Sequence, residues 1–129
     1  MPTAAKLTVV VVDDQLTMRS LVRASLQQIG VNDVREYPGG AEALENLKFR
    51  PANVVISDYN MPDMNGMEFL KALRANPQYK STAFILLTGR ADRDLVVEAV
   101  KAGANNYLVK PFTAATLKQK IEQVVGALA

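Results

Sequence analysis

Three short apolar runs, at residues 7–13, 53–58 and 83–88, constrain the fold of this chain more than any other feature. The first carries four consecutive valines, Val9 to Val12, straight into the adjacent carboxylates Asp13 and Asp14. Strands with one face in water alternate apolar with polar residues. Nearly unbroken runs of this length instead fit strands covered on both faces, as in a parallel sheet. Shorter strands are predicted at Asp33–Tyr37 and Asn106–Val109.

Between the runs, apolar residues recur at three- and four-residue spacing. Met18, Leu21, Val22, Leu26 and Ile29 form one such set, Met67, Leu70 and Leu73 a second, and Leu117, Ile121, Val124, Val125 and Leu128 a third. This is the stripe of a helix that buries one side. Residues 41–47 and 95–102 supply two more helices, and Gly30 and Gly103 stand where left-handed C-terminal caps belong. The order is βα five times over. Right-handed crossovers then place helices on both faces of a five-stranded parallel sheet, a doubly wound α/β fold. At 129 residues one domain is expected, spanning residues 1–129, with no output domain attached.

The absence of cysteine removes disulfides, thiolate nucleophiles and sulfur-ligated metals. The absence of histidine removes the serine-histidine-aspartate triad, histidine-bound zinc and an imidazole base. Any metal must therefore sit on oxygen. The net charge of +2 is spread along the chain, which argues against a nucleic-acid surface. The N-terminal apolar run is too short for a signal peptide or a membrane span, so the expected location is cytoplasmic, without membrane insertion.

In doubly wound sheets the ligand site lies beyond the carboxyl ends of the strands, near the switch in strand order. Asp13 and Asp14 follow the first predicted strand, Asp58 ends the third, Thr88 the fourth, and Lys110 the fifth. Singly, an aspartate after a strand is a common helix cap and a lysine a solvated charge. Together they place three carboxylates, a hydroxyl and one cation at one edge. Such an excess of negative charge suits a hard divalent cation, and Mg²⁺ is expected. A dinucleotide cradle is disfavoured, because the first turn reads Asp-Asp-Gln-Leu-Thr where glycines would be needed.

The segments Val11-Val12-Asp13-Asp14, Ser57-Asp58-Tyr59-Asn60-Met61-Pro62, Thr88-Gly89 and Val109-Lys110-Pro111-Phe112-Thr113 resemble the marker residues of response-regulator receiver domains. The likeness covers essentially the whole chain and is nearest the CheY-like single-domain chemotaxis type. It implies the flavodoxin-like (βα)5 fold and an aspartyl-phosphate switch in a two-component phosphorelay. Asp58 would accept a phosphoryl group from a partner histidine kinase. Asp14, Asp58 and the backbone carbonyl of Asn60 would ligate Mg²⁺ directly, with Asp13 acting through water. Lys110 and Thr88 would contact the phosphoryl group, and Tyr107 would be the switch aromatic. The Lys110–Pro111 peptide bond would be cis. A carboxylate nucleophile needs no general base, which makes the missing histidine intelligible.

By the same resemblance, the message would leave through a surface including Arg93, Val96, Tyr107, Lys118 and Lys120. The receiving protein would be a flagellar motor switch or a kinase, although a phosphate-sink role is an alternative output. The chain would act as a monomer and would be no enzyme beyond catalysing its own phosphorylation and dephosphorylation. Asn60 and Arg90 occupy positions that tune acyl-phosphate lifetime, and Arg90 stands where the chemotaxis type usually has an acidic residue. Gly39-Gly40 also departs from an acidic residue before glycine, in a turn expected to lie far from the pocket. Two rival readings fit the residues less well. An aspartate-nucleophile phosphatase would need an Asp-x-Asp motif, which Asp13-Asp14-Gln15 does not fit. A flavin- or nucleotide-binding module is opposed by the acidic first turn.

Overall fold

The computed structural model describes residues 3–89 and 93–128. Five strands, β1 (Thr8–Val12), β2 (Asp33–Tyr37), β3 (Val54–Asp58), β4 (Ala83–Thr88) and β5 (Asn106–Val109), form one parallel sheet in the order β2-β1-β3-β4-β5. They alternate with α1 (Leu16–Ile29), α2 (Gly40–Leu47), α3 (Gly66–Arg74), α4 (Arg93–Ala102) and α5 (Ala114–Val125). This is the flavodoxin-like arrangement. The unbroken apolar runs are the three central strands: β3 and β4 are buried at every position, and β1 at all but Thr8. The more polar β2 and β5 lie at the sheet edges, each with a single buried residue.

Alternation along each strand divides the core in two. Val9, Val11, Ile56, Ile85 and Leu87 pack with Leu26 of α1 and Leu117 and Ile121 of α5. Val10, Val12, Val55, Phe84 and Leu86 pack on the other face with Leu47, Phe69, Leu70, Leu73 and Ala99 of α2, α3 and α4. Both sides of the sheet are thereby withdrawn from water, which is why its central strands can afford no polar alternation.

Helix ends follow local chemistry. Gly30 and Gly103 adopt φ of 109° and 110°, the left-handed caps expected of them. Asn65 and Glu68 form a reciprocal capping box at the start of α3, and Thr113 Oγ1 accepts from the Thr116 amide at the start of α5. Boundaries differ from the sequence reading at several ends. β1 begins and ends one residue inside the predicted run, and β3 begins at Val54 rather than Asn53. The last helix stops at Gly126, φ 92°, so Leu128 is not helical; it still packs on the core while the Glu122 carboxylate accepts its amide. Two short 3-10 turns, Ala4–Lys6 and Pro77–Tyr79, were not expected. The Lys110–Pro111 bond is cis. Among the described residues, no helix is long and apolar enough to cross a membrane.

Candidate functional site

The strand order turns back between β1 and β3, and the predicted acidic residues gather at the carboxyl ends of that pair. Asp13, Asp14 and Asp58 each offer a carboxylate oxygen within 4.8 Å of the others. Asp13 and Asp58 are buried, whereas Asp14 faces solvent. The Lys110 ammonium enters from the end of β5 and lies 2.8 Å from Asp58 Oδ1 and 3.9 Å from Asp13 Oδ2. Lys110 is directed there by its backbone, whose amide donates to the Thr88 carbonyl at 2.8 Å and continues the β4–β5 ladder.

Asp13 explains how neighbouring carboxylates converge. Successive residues of a strand point to opposite faces, but β1 ends at Val12, and the Asp13 amide makes a last bond to the Tyr37 carbonyl. Its Oδ1 then accepts from the Gln15 amide at 2.9 Å, at the entry to α1, so one oxygen does serve as a helix-start cap. The other, Oδ2, is fully buried without a hydrogen-bond donor. Burial pushes the Asp13 carboxyl above its ordinary value. The Gln15 amide opposes this, Asp58 adds to it, and Lys110 opposes and Asp14 adds in smaller measure.

Among the described residues, one ammonium faces three carboxylates and leaves the cluster short of positive charge. An orphaned buried carboxylate oxygen beside two further carboxylates is the donor set of an oxygen-ligated metal, and the residues fit one.

The two residues expected to form the switch share one face. Leu86 pairs with Tyr107 and Thr88 with Val109, so Thr88 and Tyr107 project from the same side of β4 and β5, offset by one strand repeat. Thr88 is buried and Tyr107 half-buried, with the Lys120 ammonium 4.5 Å from the Tyr107 ring centre. Arg93, Val96 and Tyr107 line, with Val97, a groove of about 340 Å³. Lys118 is exposed on α5. Asn60 is exposed in the β3–α3 loop, and Arg90 lies outside the described residues.

One expectation is corrected. The Gly39-Gly40 turn is not remote from the pocket: Gly39 shares a cleft with Asp14, Pro38, Ala41, Glu42, Pro62 and Asp63. A Cβ on Gly39 would stand 2.8 Å from Asp63 Oδ2, so Asp63 occupies the room a side chain there would need. The Asp13–Tyr37 backbone bond brings this turn alongside β1, a pairing that sequence spacing does not reveal.

Gly66 escaped the sequence reading. Its amide donates to the Tyr59 carbonyl at 2.8 Å, and a Cβ would lie 2.6 Å from the Asp58 carbonyl oxygen. α3 therefore closes onto the Asp58 loop through a contact that tolerates only glycine. The Asn65-Gly66 pair after the loop was the available signal.

Comparison with known proteins agrees with this geometry. Residues 9–122 match the model of the response regulator receiver domain. A probable chemotaxis protein CheY of Rhizobium etli is 45% identical over 99% of both chains. A chemotaxis protein CheY homolog of Campylobacter jejuni is 44% identical over 90% of both. The solved structure of the chemotaxis response regulator CheY4 of Vibrio cholerae superposes with a TM-score of 0.85 at 37% identity, covering 92% of this chain and 98% of that one.

Proposed function

The chain belongs to the response regulator receiver domain family, and we propose that it is a chemotaxis switch that takes a phosphoryl group onto Asp58 in the cytoplasm. The observation that carries this reading is the Lys110 ammonium, 2.8 Å from Asp58 Oδ1, beside a cluster of carboxylates with too little positive charge of its own.

An Asp58 carboxylate oxygen attacks the phosphorus of a phosphoimidazole on a partner kinase. The new P–O bond forms as the P–N bond breaks, and the departing imidazole keeps the electron pair and takes up a proton. Both groups are anionic on approach, so positive charge must be prearranged. Lys110 supplies one such charge from a fixed direction. Asp13, Asp14, Asp58 and the Asn60 carbonyl would hold Mg²⁺, which when bound neutralises charge on phosphoryl oxygens. Thr88 donates its hydroxyl to the phosphoryl group once that group is in place, and Tyr107, on the same face of the sheet, follows Thr88. Asn60 and Arg90 set how long the acyl phosphate survives. The chain catalyses no reaction beyond its own phosphorylation and dephosphorylation.

The surface of α4, β5 and α5 that includes Arg93, Val96, Tyr107, Lys118 and Lys120 carries the output. The relatives named for chemotaxis support a flagellar motor switch or a kinase as its target.

Incubation with Mg²⁺ and a small acyl-phosphate donor, followed by intact-mass measurement, tests the assignment. Wild type gains one phosphoryl group and Asp58→Asn gains none. Equal labelling of the two, or no labelling of wild type, overturns it.

A further inference from the structure

Arg19 is a cation placed next to a cluster that should bind a cation, yet it touches none of the three carboxylates. Its Nη1 donates to the backbone carbonyl of Asp13 at 2.6 Å. Its Nε faces Glu36 Oε1 at 3.6 Å, while Glu36 Oε2 accepts from Arg23 Nη1 at 2.6 Å. The Arg19 side chain is only 15% exposed, so it is held rather than waving in solvent. The Asp13 residue is thereby gripped on three sides: its amide by Tyr37, its carbonyl by Arg19 and its Oδ1 by the Gln15 amide. Only Oδ2 is left, buried and facing the cluster.

We propose that Arg19 is a positioning residue for the divalent-cation site: it holds the Asp13 carbonyl at the bend where the chain leaves β1, so that Asp13 and Asp14 converge. Glu36, an ion-pair partner 3.6 Å from Nε and beyond hydrogen-bond reach, balances the guanidinium's charge and draws it toward the neutral carbonyl instead of the carboxylates. The inference rests on the metal reading above. A guanidinium can serve an acceptor and a carboxylate at once through its fixed fork. A lysine ammonium at the same position has one compact head and cannot span both. Partners that orient metal ligands without touching the metal typically govern affinity by about 10–100-fold.

The sign of the effect separates positioning from simple electrostatics. Removing a nearby positive charge should, by Coulomb's law alone, tighten cation binding, and an arginine-to-lysine change should leave it alone. Positioning requires the opposite. Mg²⁺ is titrated by calorimetry into wild type, Arg19→Met, Arg19→Lys and Arg23→Met, with circular dichroism to confirm folding. Backbone amide shifts of Asp13 and Asp14 are followed by NMR in the same titrations. The expected result is a Kd raised about tenfold in both Arg19 variants, with Arg23→Met within about twofold of wild type. Arg19→Lys binding as tightly as wild type, or Arg19→Met binding more tightly, overturns the proposal. Should Arg19→Met not fold, Arg19→Lys decides alone. Absence of Mg²⁺ binding by wild type would overturn the metal reading itself, and this inference with it.

Discussion

The two ends of the sheet treat charge in opposite ways. At the amino-terminal end, Arg74 gives Nε to the Gly103 carbonyl, Nη1 to the Tyr79 carbonyl and Nη2 to Asn105 Oδ1, which also accepts the Phe84 amide. Asn53 behaves similarly: its side-chain oxygen accepts from Thr8, its amide donates to Thr8, and its carbonyl accepts from Ala83. At the carboxyl end, Asp13 keeps a buried oxygen without a donor beside two other carboxylates. At one end the Arg74 and Asn53 side chains each find partners and tie β1, β3, β4 and β5 to their neighbours. The other, among the described residues, gathers more negative than positive charge, which costs stability and leaves a donor set that fits a cation.

The comparison can be broken most forcefully at Lys110. Lys110→Ala removes the ammonium facing Asp58, and phosphorylation by a small acyl phosphate should slow by about 100-fold or more, measured by intact mass against time. A rate near that of wild type would mean that the carboxyl end does not depend on the cation facing Asp58.

At the opposite end the readout is stability. Arg74→Ala removes three hydrogen bonds at once, and chemical denaturation should show a loss of about 2–3 kcal/mol. Burial holds the Arg74 guanidinium somewhat below its ordinary pKa, but the group remains charged at neutral pH. The folded variant at low temperature should still label at the wild-type rate. A variant that kept its stability and lost labelling would reverse the roles assigned to the two ends.

Asp13→Asn should move the other way. In the metal-free protein, removing the buried charge should raise stability by about 1 kcal/mol at neutral pH. The folded Asp13 carboxyl holds its proton more tightly than the unfolded one. Between the ordinary value of 3.8 and the raised one, the folded state therefore binds more protons, and stability declines as pH rises through that window. Thermal melts across pH should show this decline in metal-free wild type, flattened by Mg²⁺ and absent from Asp13→Asn. A decline of equal size in the variant would place the strain elsewhere.

The smallest effect is expected at Gly39. Gly39→Asp would press a second carboxylate against Asp63 and cost about 0.5–1 kcal/mol, recovered when Asp63→Asn is added. A double-mutant cycle measures the coupling, and additivity would remove the repulsion from the account.

How much of this was legible beforehand differs residue by residue. The central strands announced themselves because burial on both faces forbids alternation, and Ala83–Thr88 was read at both ends. Asp13, Asp14, Asp58, Thr88 and Lys110 were legible for a related reason: each stands at or just past the end of an apolar run, where the chain emerges from the core. The end of the last helix was missed because Val124, Val125 and Leu128 keep helical spacing while Gly126 breaks the backbone. The Gly39 turn was misplaced because nothing local shows that β2 lies beside β1, or that the following loop meets Asp63.

The sequence by itself determined the fold class and the set of groups at the carboxyl edge, since both follow from where apolar runs stop. Tertiary structure alone decided that Arg19 would direct its donor to the Asp13 carbonyl, that Gly66 would close on Asp58, and that Oδ2 of Asp13 would be left without a hydrogen-bond donor. Local pattern is set by each residue's own preference for water or core. Contacts between segments depend on strand order and register, which no short stretch of sequence encodes.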